Sequence, residues 1–313
     1  MKLHSLQTSN GRNRPCHVAV MGMWNWLETA AELLRRAGIS HEVVDLRTKR
    51  DLLRWILQGQ WRRFDLVYHI GGINWQHGLA CRLLCKPVLW HWCGSDVLAL
   101  KESRGWRGVI NHFAAYRWAV GHLADSPELA EELQEISIRS HVVRLLPKFI
   151  EADVEPLPEK FTVLSYWGNN RRDFYGGDIV LKLAEEFPQF EFRILMATGE
   201  GEEVSLPNVK FLGYRKDMPR IYSESSVLIR LPKHDSLAKM PLEMLARGRY
   251  VIYNKKVPGC HFARNLTEAR RALLEISQLR DPNIAGARMV KERFSLDKEA
   301  AKLADVIKGL CKK

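Results

Sequence analysis

Two acidic residues and a lysine in the C-terminal half have a spacing that suits the binding of phosphate and sugar. Asp235 and Lys239 lie on a predicted loop after a strand, and Glu243 follows in the first turn of a helix predicted to begin at Pro241. A helix start carries unpaired backbone N–H groups and partial positive charge, which favour bound phosphate. Glu243 can accept hydrogen bonds from two adjacent hydroxyl groups, such as those of a ribose. The alternative is that Glu243 caps the helix and Lys239 is a surface lysine.

The elements that must position these residues alternate between strands and helices, as in parallel sheets with crossover helices. In the first half, strands are predicted at 17–22, 41–46, 65–70, 87–92, 122–126 and 142–146. In the second half, strands are predicted at 161–168, 190–196, 208–213, 226–232 and 250–254, and helices at 177–187, 217–224, 241–247 and 296–310. The proline-bearing stretch 147–160 between the halves has the composition of a linker.

This pattern predicts an α/β protein with two Rossmann-like domains that face a cleft. The expected boundaries are 1–149 for the first, acceptor-side domain and 150–295 for the second, nucleotide-sugar-binding domain. The final segment, 296–313, is expected to cross back to the first domain as a helix. A cleft between two such domains is a usual place for a ligand.

The acidic residues also carry a resemblance to a known family. Asp235 and Glu243 have seven residues between them and are followed by Met244-Leu245-Ala246 and Gly248. This segment resembles the signature of glycosyltransferase family four (glycosyl transferases group 1), which are retaining enzymes with the GT-B fold. In that family, two acids at the same spacing precede a helix of the Leu-Glu-Ala-Met-Ala type.

Three further segments extend the resemblance over most of residues 17–254, in order. The run 208–232 is similar to the family's strand–Gly–helix–strand segment. Residues 86–100 resemble its Pro-Val-…-His-Gly-Ser-Asp-Val stretch, and 122–135 resemble its strand–Ser–helix segment. The resemblance therefore implies the GT-B fold and sugar transfer from a nucleotide-sugar donor.

The resemblance also implies roles for the loop and the helix that follows it. Glu243 would bind the donor ribose, and Asp235 would lie near the transferred sugar, although Asp is one methylene shorter than the family's usual Glu. Ser236, Leu237 and Ala238 would form the loop around that sugar, with Ser236 and Ala238 replacing the usual glycines.

The cations for the donor diphosphate depart from the family pattern. Asn169 stands where the family has an arginine, and Arg171 and Arg172 are the nearby cations that would supply the charge. Together with Lys239, they would stabilise the negative charge that develops on the departing diphosphate. The alternative is that Arg171 and Arg172 are exposed arginines in a polar turn.

The first domain departs from the family pattern as well. Cys93 stands where many members have a histidine that contacts the sugar, and His91 shares its face of the strand, so His91 would partly take over. An equal alternative is that His91 is a buried core residue whose hydrogen bonds are made within the core. Gly22 is expected to let the chain turn towards the cleft, and Trp24 and Trp26 are expected either to line the acceptor side or to pack in the core.

Near the Cys93 turn, Asp96 is expected to orient the backbone through local hydrogen bonds.

The charge of the chain favours anionic partners, since 48 Lys and Arg against 36 Asp and Glu give a net charge of +12. The basic segment 47–63 carries Trp55 and Trp61, which predicts peripheral contact with an anionic membrane. The alternative is a solvated helix face with both tryptophans turned into the core. No aromatic signature of RNA binding occurs on the predicted strands, so nucleic acid is a minor alternative.

The location is expected to be cytoplasmic, peripheral at the inner face of the membrane. No run approaches the roughly 18 to 20 apolar residues of a membrane span, and the first residues lack the apolar core of a signal peptide. The six cysteines suggest no disulfide framework, which indicates a reducing compartment. Cys81 and Cys85 lack a second pair at zinc-finger spacing, so buried thiols are favoured over a metal site.

These observations predict a retaining, metal-independent glycosyltransferase, a hexosyltransferase most simply. The donor would be a UDP- or GDP-linked sugar, without a cofactor, and the acceptor a glycan, a lipid-linked intermediate or a small metabolite. No Asp-x-Asp motif occurs in the chain, which agrees with the metal independence that the resemblance implies. One alternative is a nucleotide-sugar epimerase, which would need acid/base residues facing the sugar from both domains. Another is a degenerate module that binds the donor without turnover.

Overall fold

Two six-stranded parallel sheets form the framework of the protein. The computed structural model describes residues 15–71, 75–103, 105–113, 118–168, 171–200, 205–236 and 238–311. The strands of the first sheet are β1 (His17–Gly22), β2 (Ser40–Val43), β3 (Leu66–Ile70), β4 (Val88–Trp92), β5 (Ala119–Ala124) and β6 (His141–Val142). Those of the second are β7 (Thr162–Tyr166), β8 (Glu191–Leu195), β9 (Val209–Gly213), β10 (Val227–Arg230), β11 (Tyr250–Tyr253) and β12 (His261–Phe262).

The strand orders are β2-β1-β3-β4-β5-β6 and β12-β11-β10-β7-β8-β9. The helices of the first half are α1 (Trp24–Arg36), α2 (Lys49–Leu57), α3 (Trp75–Leu83), α4 (Ser95–Glu102), α5 (Gly105–Phe113) and α6 (Pro127–Glu135). The helices of the second half are α7 (Gly177–Glu186), α8 (Met218–Ser223), α9 (Lys239–Ala246), α10 (Leu266–Ser277), α11 (Ile284–Arg293) and α12 (Leu296–Cys311). The α/β architecture with two Rossmann-like sheets is therefore confirmed.

The central strands are buried and mostly apolar because each is covered on both faces. All five residues of β4 are buried, and residues 18–21 of β1 are fully buried. This is the pattern expected of parallel strands with helices on both sides of the sheet. Separate apolar cores cover the outer faces of the two sheets, and a third joins them, with Leu89 of the first sheet and Leu228 of the second in one cluster.

The strand boundaries differ from the predicted ones mainly at the sheet edges. β6 (His141–Val142) shares only Val142 with the predicted strand 142–146, and β12 was not predicted. Both edge strands are two residues long, too short for a periodic pattern in the sequence to identify.

Helix α9 begins at Lys239 rather than at Pro241, and Ala238 is its N-cap. Pro241 still falls in the first turn, where its missing N–H costs no hydrogen bond. Consequently Glu243 lies beyond the first turn, not within it as the sequence had suggested.

The chain passes between the sheets twice. Residues 143–161 lead from β6 to β7, and α12 returns to pack against α1 of the first half. Arg36 at the end of α1 contacts both connections, with nitrogen–oxygen distances of 2.8 Å to Glu151 and 3.0 Å to Asp297. One side chain therefore holds the two connecting segments next to each other.

A disulfide joins Cys16, just before β1, to Cys311 at the end of α12, with Cα atoms 6.1 Å apart. The expectation that the cysteines form no disulfide is wrong for this pair. The two residues are 295 positions apart, so their proximity depends on the return of α12 to the first half. Of the pair considered for a metal, Cys81 is buried as expected and Cys85 is exposed.

The tryptophans of the basic segment do not lie at an exposed interface. Trp55 is only 2% exposed and belongs to the apolar core on the outer face of the first sheet. Trp61 is partly buried against that core, with the Lys86 ammonium 5.3 Å from its ring centroid. The alternative of a solvated helix face with inward tryptophans therefore describes this segment. In the described part of the chain, no helix combines the length and the apolar character that a membrane span requires.

Candidate functional site

A cleft of about 780 Å³ lies where the carboxyl ends of both sheets meet. The first half lines it with Met23, Trp26, Cys93, Gly94, Ser95, Asp96, Ala99, Ser103 and Asn111. The second half lines it with Tyr166, Arg171, Phe174, Tyr175, Arg230, His234, Asp235, Ser236, Ala238, Lys239 and Met240. Among the described lining residues, Arg171, Arg230 and Lys239 of the second half supply cationic groups that can hold an anionic ligand.

Asp235 lies on the loop between β10 and α9, where two side chains fix its carboxylate. The Nε atom of Arg230 donates a hydrogen bond of 2.8 Å to its Oδ2 atom. The hydroxyl of Tyr253 donates to the same oxygen at 3.1 Å. The carboxylate is thus held at the cleft wall in one orientation, and Arg230 compensates its charge.

The same loop contacts the first half directly. The Ser236 hydroxyl donates to the carbonyl oxygen of Cys93 at 3.1 Å and lies 3.5 Å from an oxygen of Asp125. Burial raises the pKa of Asp125 to about 7. Ala238 also lines the cleft, and Leu237 lies outside the described residues. The predicted sugar loop therefore bridges the two halves.

Lys239, the first residue of α9, reaches across to α1. Its ammonium nitrogen donates to the hydroxyl of Thr29 at 2.8 Å and lies 3.6 Å from the ring centroid of Trp26. Burial lowers the pKa of Lys239, while Asp125 and Glu243 oppose that shift. A cation removed from water in this way interacts strongly with a nearby anion.

Glu243 lies deeper than the other predicted ligands and is 7% exposed. Its Oε2 atom accepts a hydrogen bond of 2.6 Å from the hydroxyl of Tyr222. Burial raises the pKa of Glu243, against the opposing effects of that hydrogen bond and of Lys239 and Arg247. It is not among the residues that line the cleft, so its assignment to the ribose stays a prediction.

The two arginines of the loop after β7 have different surroundings. Arg171 lines the cleft, with its guanidinium carbon 4.0 Å from the ring centroid of Phe174. Arg172 instead pairs with Asp178 of α7 at 2.9 Å and does not line the cleft. Asn169 lies outside the described residues. Arg171 is therefore the better placed of the two to contact a phosphate.

His91 lies within the first sheet and does not line the cleft. It is fully buried, and its Nδ1 atom is 2.6 Å from the Tyr68 hydroxyl. Burial lowers the pKa of His91 to about 3, so the ring is neutral at ordinary pH. The geometry matches the alternative of a core histidine, because the ring is fully buried and contacts the Tyr68 hydroxyl.

The turn between β4 and α4, which contains Cys93, does reach the cleft, and the side chain of Asp96 fixes the conformation of this turn. The Asp96 carboxylate accepts hydrogen bonds from the backbone N–H groups of Cys93 at 3.1 Å, Gly94 at 2.7 Å and Val97 at 3.1 Å. The expected role of Asp96 in orienting this turn is confirmed. Burial and the charges of Asp96 and Asp125 raise the pKa of Cys93 well above its usual range, so this residue presents a thiol.

The residues after β1 divide between cleft and surface. Gly22 has φ of 122°, and a β-carbon there would lie 2.1 Å from the carbonyl oxygen of Ile70. Only glycine fits this turn, which brings Met23 and Trp26 to the cleft. Trp24, by contrast, is 55% exposed, with Arg47 5.3 Å from its ring centroid. Of the two tryptophans, Trp26 lines the cleft and Trp24 does not, and a contact of Trp26 with an acceptor stays a prediction.

Several residues that the sequence did not single out also line the cleft. Arg230 lies between the rings of Tyr166 and Tyr175, at 5.3 and 5.5 Å from their centroids. His234 lies 3.2 Å from Glu132 of α6, a further contact between the halves. An arginine at the end of an otherwise apolar strand was the available signal for Arg230, because such a buried charge requires a partner.

No protein-family model matches the chain, and no curated protein matches it. Its structure is similar to that of Anabaena HepE in complex with UDP-glucose, with a TM-score of 0.73, 14% identity, and 95% of this chain and 100% of that chain covered. Sucrose-phosphate synthase from Thermosynechococcus elongatus gives a TM-score of 0.74 at 13% identity, covering 95% of this chain and 99% of that one. A UDP-GlcNAc 2-epimerase from Neisseria meningitidis, bound to UDP-GlcNAc, gives a TM-score of 0.53 at 13% identity, covering 95% of this chain and 100% of that one. At these identities the likeness establishes the fold, which is GT-B.

Proposed function

We propose that the protein is a glycosyltransferase that moves a sugar from a nucleotide-diphosphate sugar to a separate acceptor. The observation that carries the proposal is the loop 235–239, which places an acid, a hydroxyl and a buried lysine at the interdomain cleft. The fold supports it, because the similar HepE was solved with UDP-glucose and sucrose-phosphate synthase shares the architecture. The assignment to family four rests on the sequence motifs.

In the proposed reaction, the acceptor hydroxyl attacks the anomeric carbon as the bond from that carbon to the diphosphate breaks, and the hydroxyl proton passes to the departing phosphate oxygen. Lys239, Arg171 and the N-terminal end of α9 would stabilise the charge that develops on the leaving group. Asp235 would contact the transferred sugar, and Glu243 would reach the ribose when the donor binds. Retention at the anomeric carbon and independence of metal and cofactor belong to this proposal as implications of the family motifs.

The arrangement favours transfer over epimerisation. An epimerase needs acid/base groups facing the sugar from both halves. Among the described residues that line the cleft, Asp96 is the carboxyl group of the first half, and three backbone N–H groups occupy it. The same wall presents a thiol at Cys93 rather than a thiolate. The epimerase alternative predicts that a free nucleotide sugar changes without any acceptor.

The acceptor and the location belong to the proposal as well. The first half offers Trp26 and Met23 to an acceptor, and aromatic faces stack on sugar rings. We retain a glycan, a lipid-linked intermediate or a small metabolite as acceptors, and a cytoplasmic site of action with peripheral contact to anionic lipid. The net charge of +12 supports the lipid contact.

A thermal-shift screen with UDP-, GDP- and ADP-sugars tests the donor without requiring an acceptor. A ligand that binds only the native state raises the melting temperature by mass action. One class of nucleotide sugar should raise it, and Glu243→Ala should abolish the shift. Tyr222→Phe is the matched control, because it removes the hydrogen bond to Glu243 and keeps the carboxylate. If no nucleotide sugar raises the melting temperature, the transferase proposal fails, whereas a shift without turnover for any acceptor would favour the degenerate module.

A further inference from the structure

The residue that controls Asp235 is Arg230, the last residue of β10. Its side chain lies in the interior of the second half, with 10% of its surface exposed. An unpaired charge in such a position is strongly destabilising, so Arg230 needs a fixed anionic partner. Asp235 is that partner, and the bond of 2.8 Å uses the Nε atom of the guanidinium.

The guanidinium is also held by its aromatic neighbours. The rings of Tyr166, at the end of β7, and Tyr175 lie 5.3 and 5.5 Å from its central carbon. These two rings contact each other edge to face at 5.1 Å. A guanidinium that packs beside two rings in contact with each other has restricted freedom to turn, which favours the orientation in which Nε faces Asp235.

Tyr253 completes the arrangement on the other side of the carboxylate. Its hydroxyl donates to Oδ2 of Asp235 at 3.1 Å and lies 3.0 Å from the carbonyl oxygen of Ser236. Both donors to the carboxylate therefore use Oδ2. Within the described part of the chain, the Oδ1 atom accepts no hydrogen bond, so this is the oxygen that a ligand hydroxyl can use.

We propose that Arg230, assisted by Tyr253, is a positioning residue that holds the Asp235 carboxylate in one orientation so that the site recognises the sugar part of the donor. This inference rests on the proposed function and adds a specificity device to it. The geometry points to an action through Asp235, because the Nε atom of Arg230 donates to that carboxylate and the rings of Tyr166 and Tyr175 pack beside the guanidinium.

The test compares the affinity for a nucleotide sugar with that for the bare nucleoside diphosphate. The probe pairs are UDP-glucose with UDP and GDP-mannose with GDP, measured by calorimetry on the full chain. Arg230→Gln and Asp235→Asn should each weaken binding of the nucleotide sugar about tenfold, the loss of one charge-assisted hydrogen bond. Both should leave the affinity for the nucleoside diphosphate within about twofold.

The double variant identifies the coupling between the two residues. If Arg230 acts through Asp235, Arg230→Gln with Asp235→Asn should weaken binding of the nucleotide sugar no more than either single change. Tyr253→Phe keeps the buried ion pair intact, so it provides an independent measurement if Arg230→Gln does not fold. Tyr253→Phe should also weaken binding of the nucleotide sugar, but by less than Arg230→Gln does.

Two results would overturn the inference. Equal losses of affinity for UDP-glucose and UDP would place Arg230 on the diphosphate or in a purely structural role. Additive losses in the double variant would separate Arg230 from Asp235. Failure of the wild-type chain to bind any nucleotide sugar is a different outcome, because it removes the proposed function itself and this inference with it.

Discussion

The ammonium group of Lys239 lies 3.6 Å from the centre of the Trp26 ring, so a cation of the second half rests on an aromatic residue of the first. Thr29 on the same helix accepts a hydrogen bond from it at 2.8 Å. Since both contacts cross the cleft, Lys239 belongs at once to the site and to the junction between the domains.

Replacement of Lys239 by methionine should lower turnover by about 10²- to 10³-fold, the usual cost of removing one donor that stabilises developing charge. Methionine keeps the apolar contact with Trp26, so the domains should still meet. Initial rates with the donor found by thermal shift provide the measurement.

Lys233→Met is the control, since Lys233 lies on the same loop but is exposed and pairs with Asp173. Equal rates for the Lys239 variant and the wild type would exclude Lys239 from the chemistry.

His91 should make the protein less stable in acid. Burial lowers its pKa from 6.5 to about 3, so below pH 6.5 the unfolded chain binds a proton that the folded chain does not. The contribution of His91 to the free energy of unfolding is therefore fully present above pH 6.5 and is lost as the pH falls towards 3. The slope is at most about 1.4 kcal/mol per pH unit.

Urea unfolding of the wild type and of His91→Gln should be measured between pH 4.5 and 7.5. All other groups titrate in both proteins, so their effects cancel in the difference between the two unfolding free energies, which leaves the contribution of His91. The difference in unfolding free energy between the two should shrink as the pH falls. A difference that stays constant with pH would show that His91 takes up a proton in the folded state.

Gly22→Ala should destabilise the first sheet by about 2 kcal/mol or more, because strained backbone and overpacking each cost about 1–3 kcal/mol. The added β-carbon would lie 2.1 Å from the carbonyl oxygen of Ile70, and φ of 122° disfavours any side chain. Gly309→Ala is the matched control, as nothing lies within 4 Å of its β-carbon position.

Because residue 309 lies in α12, Gly309→Ala should leave the free energy of unfolding unchanged or raise it by up to about 1 kcal/mol. Chemical denaturation of both variants tests the pair. Equal stability of Gly22→Ala and wild type would contradict the close approach of β1 and β3.

Loss of the Cys16–Cys311 disulfide should cost about 2–4 kcal/mol of unfolding free energy. Cys16→Ser and reduced wild type should show the same loss, whereas Cys85→Ser, at an exposed free cysteine, should behave like the wild type. Alkylation of the unfolded chain should label four of the six cysteines without reductant and all six with it. Labelling of all six without reductant would contradict the bond.

The sequence predicted the sheets better than the contacts between them. Strands such as β4 and β10 are mostly apolar, as expected of parallel strands covered on both faces, with His91 and Arg230 as the polar exceptions. The position of Asp235 followed from its spacing to Glu243. Local periodicity also predicted α9, although the tolerance of a first turn for Pro241 left its start open by one or two residues.

The remaining features depend on residues that are far apart in the chain. The approach of Ser236 to Cys93, and of Lys239 to Trp26, results from the docking of two domains, which no local pattern encodes. His91 had the residue type and strand face of a ligand, and only the three-dimensional structure shows that the strands around it cover the ring.

The ion pairs of Arg36 with Glu151 and Asp297 place the two connecting segments beside each other. We expect two domains joined by two adjacent segments to have less freedom of relative rotation than two domains joined by a single linker. Such a connection would favour an opening and closing of the cleft over a twist that carried Ser236 away from Cys93.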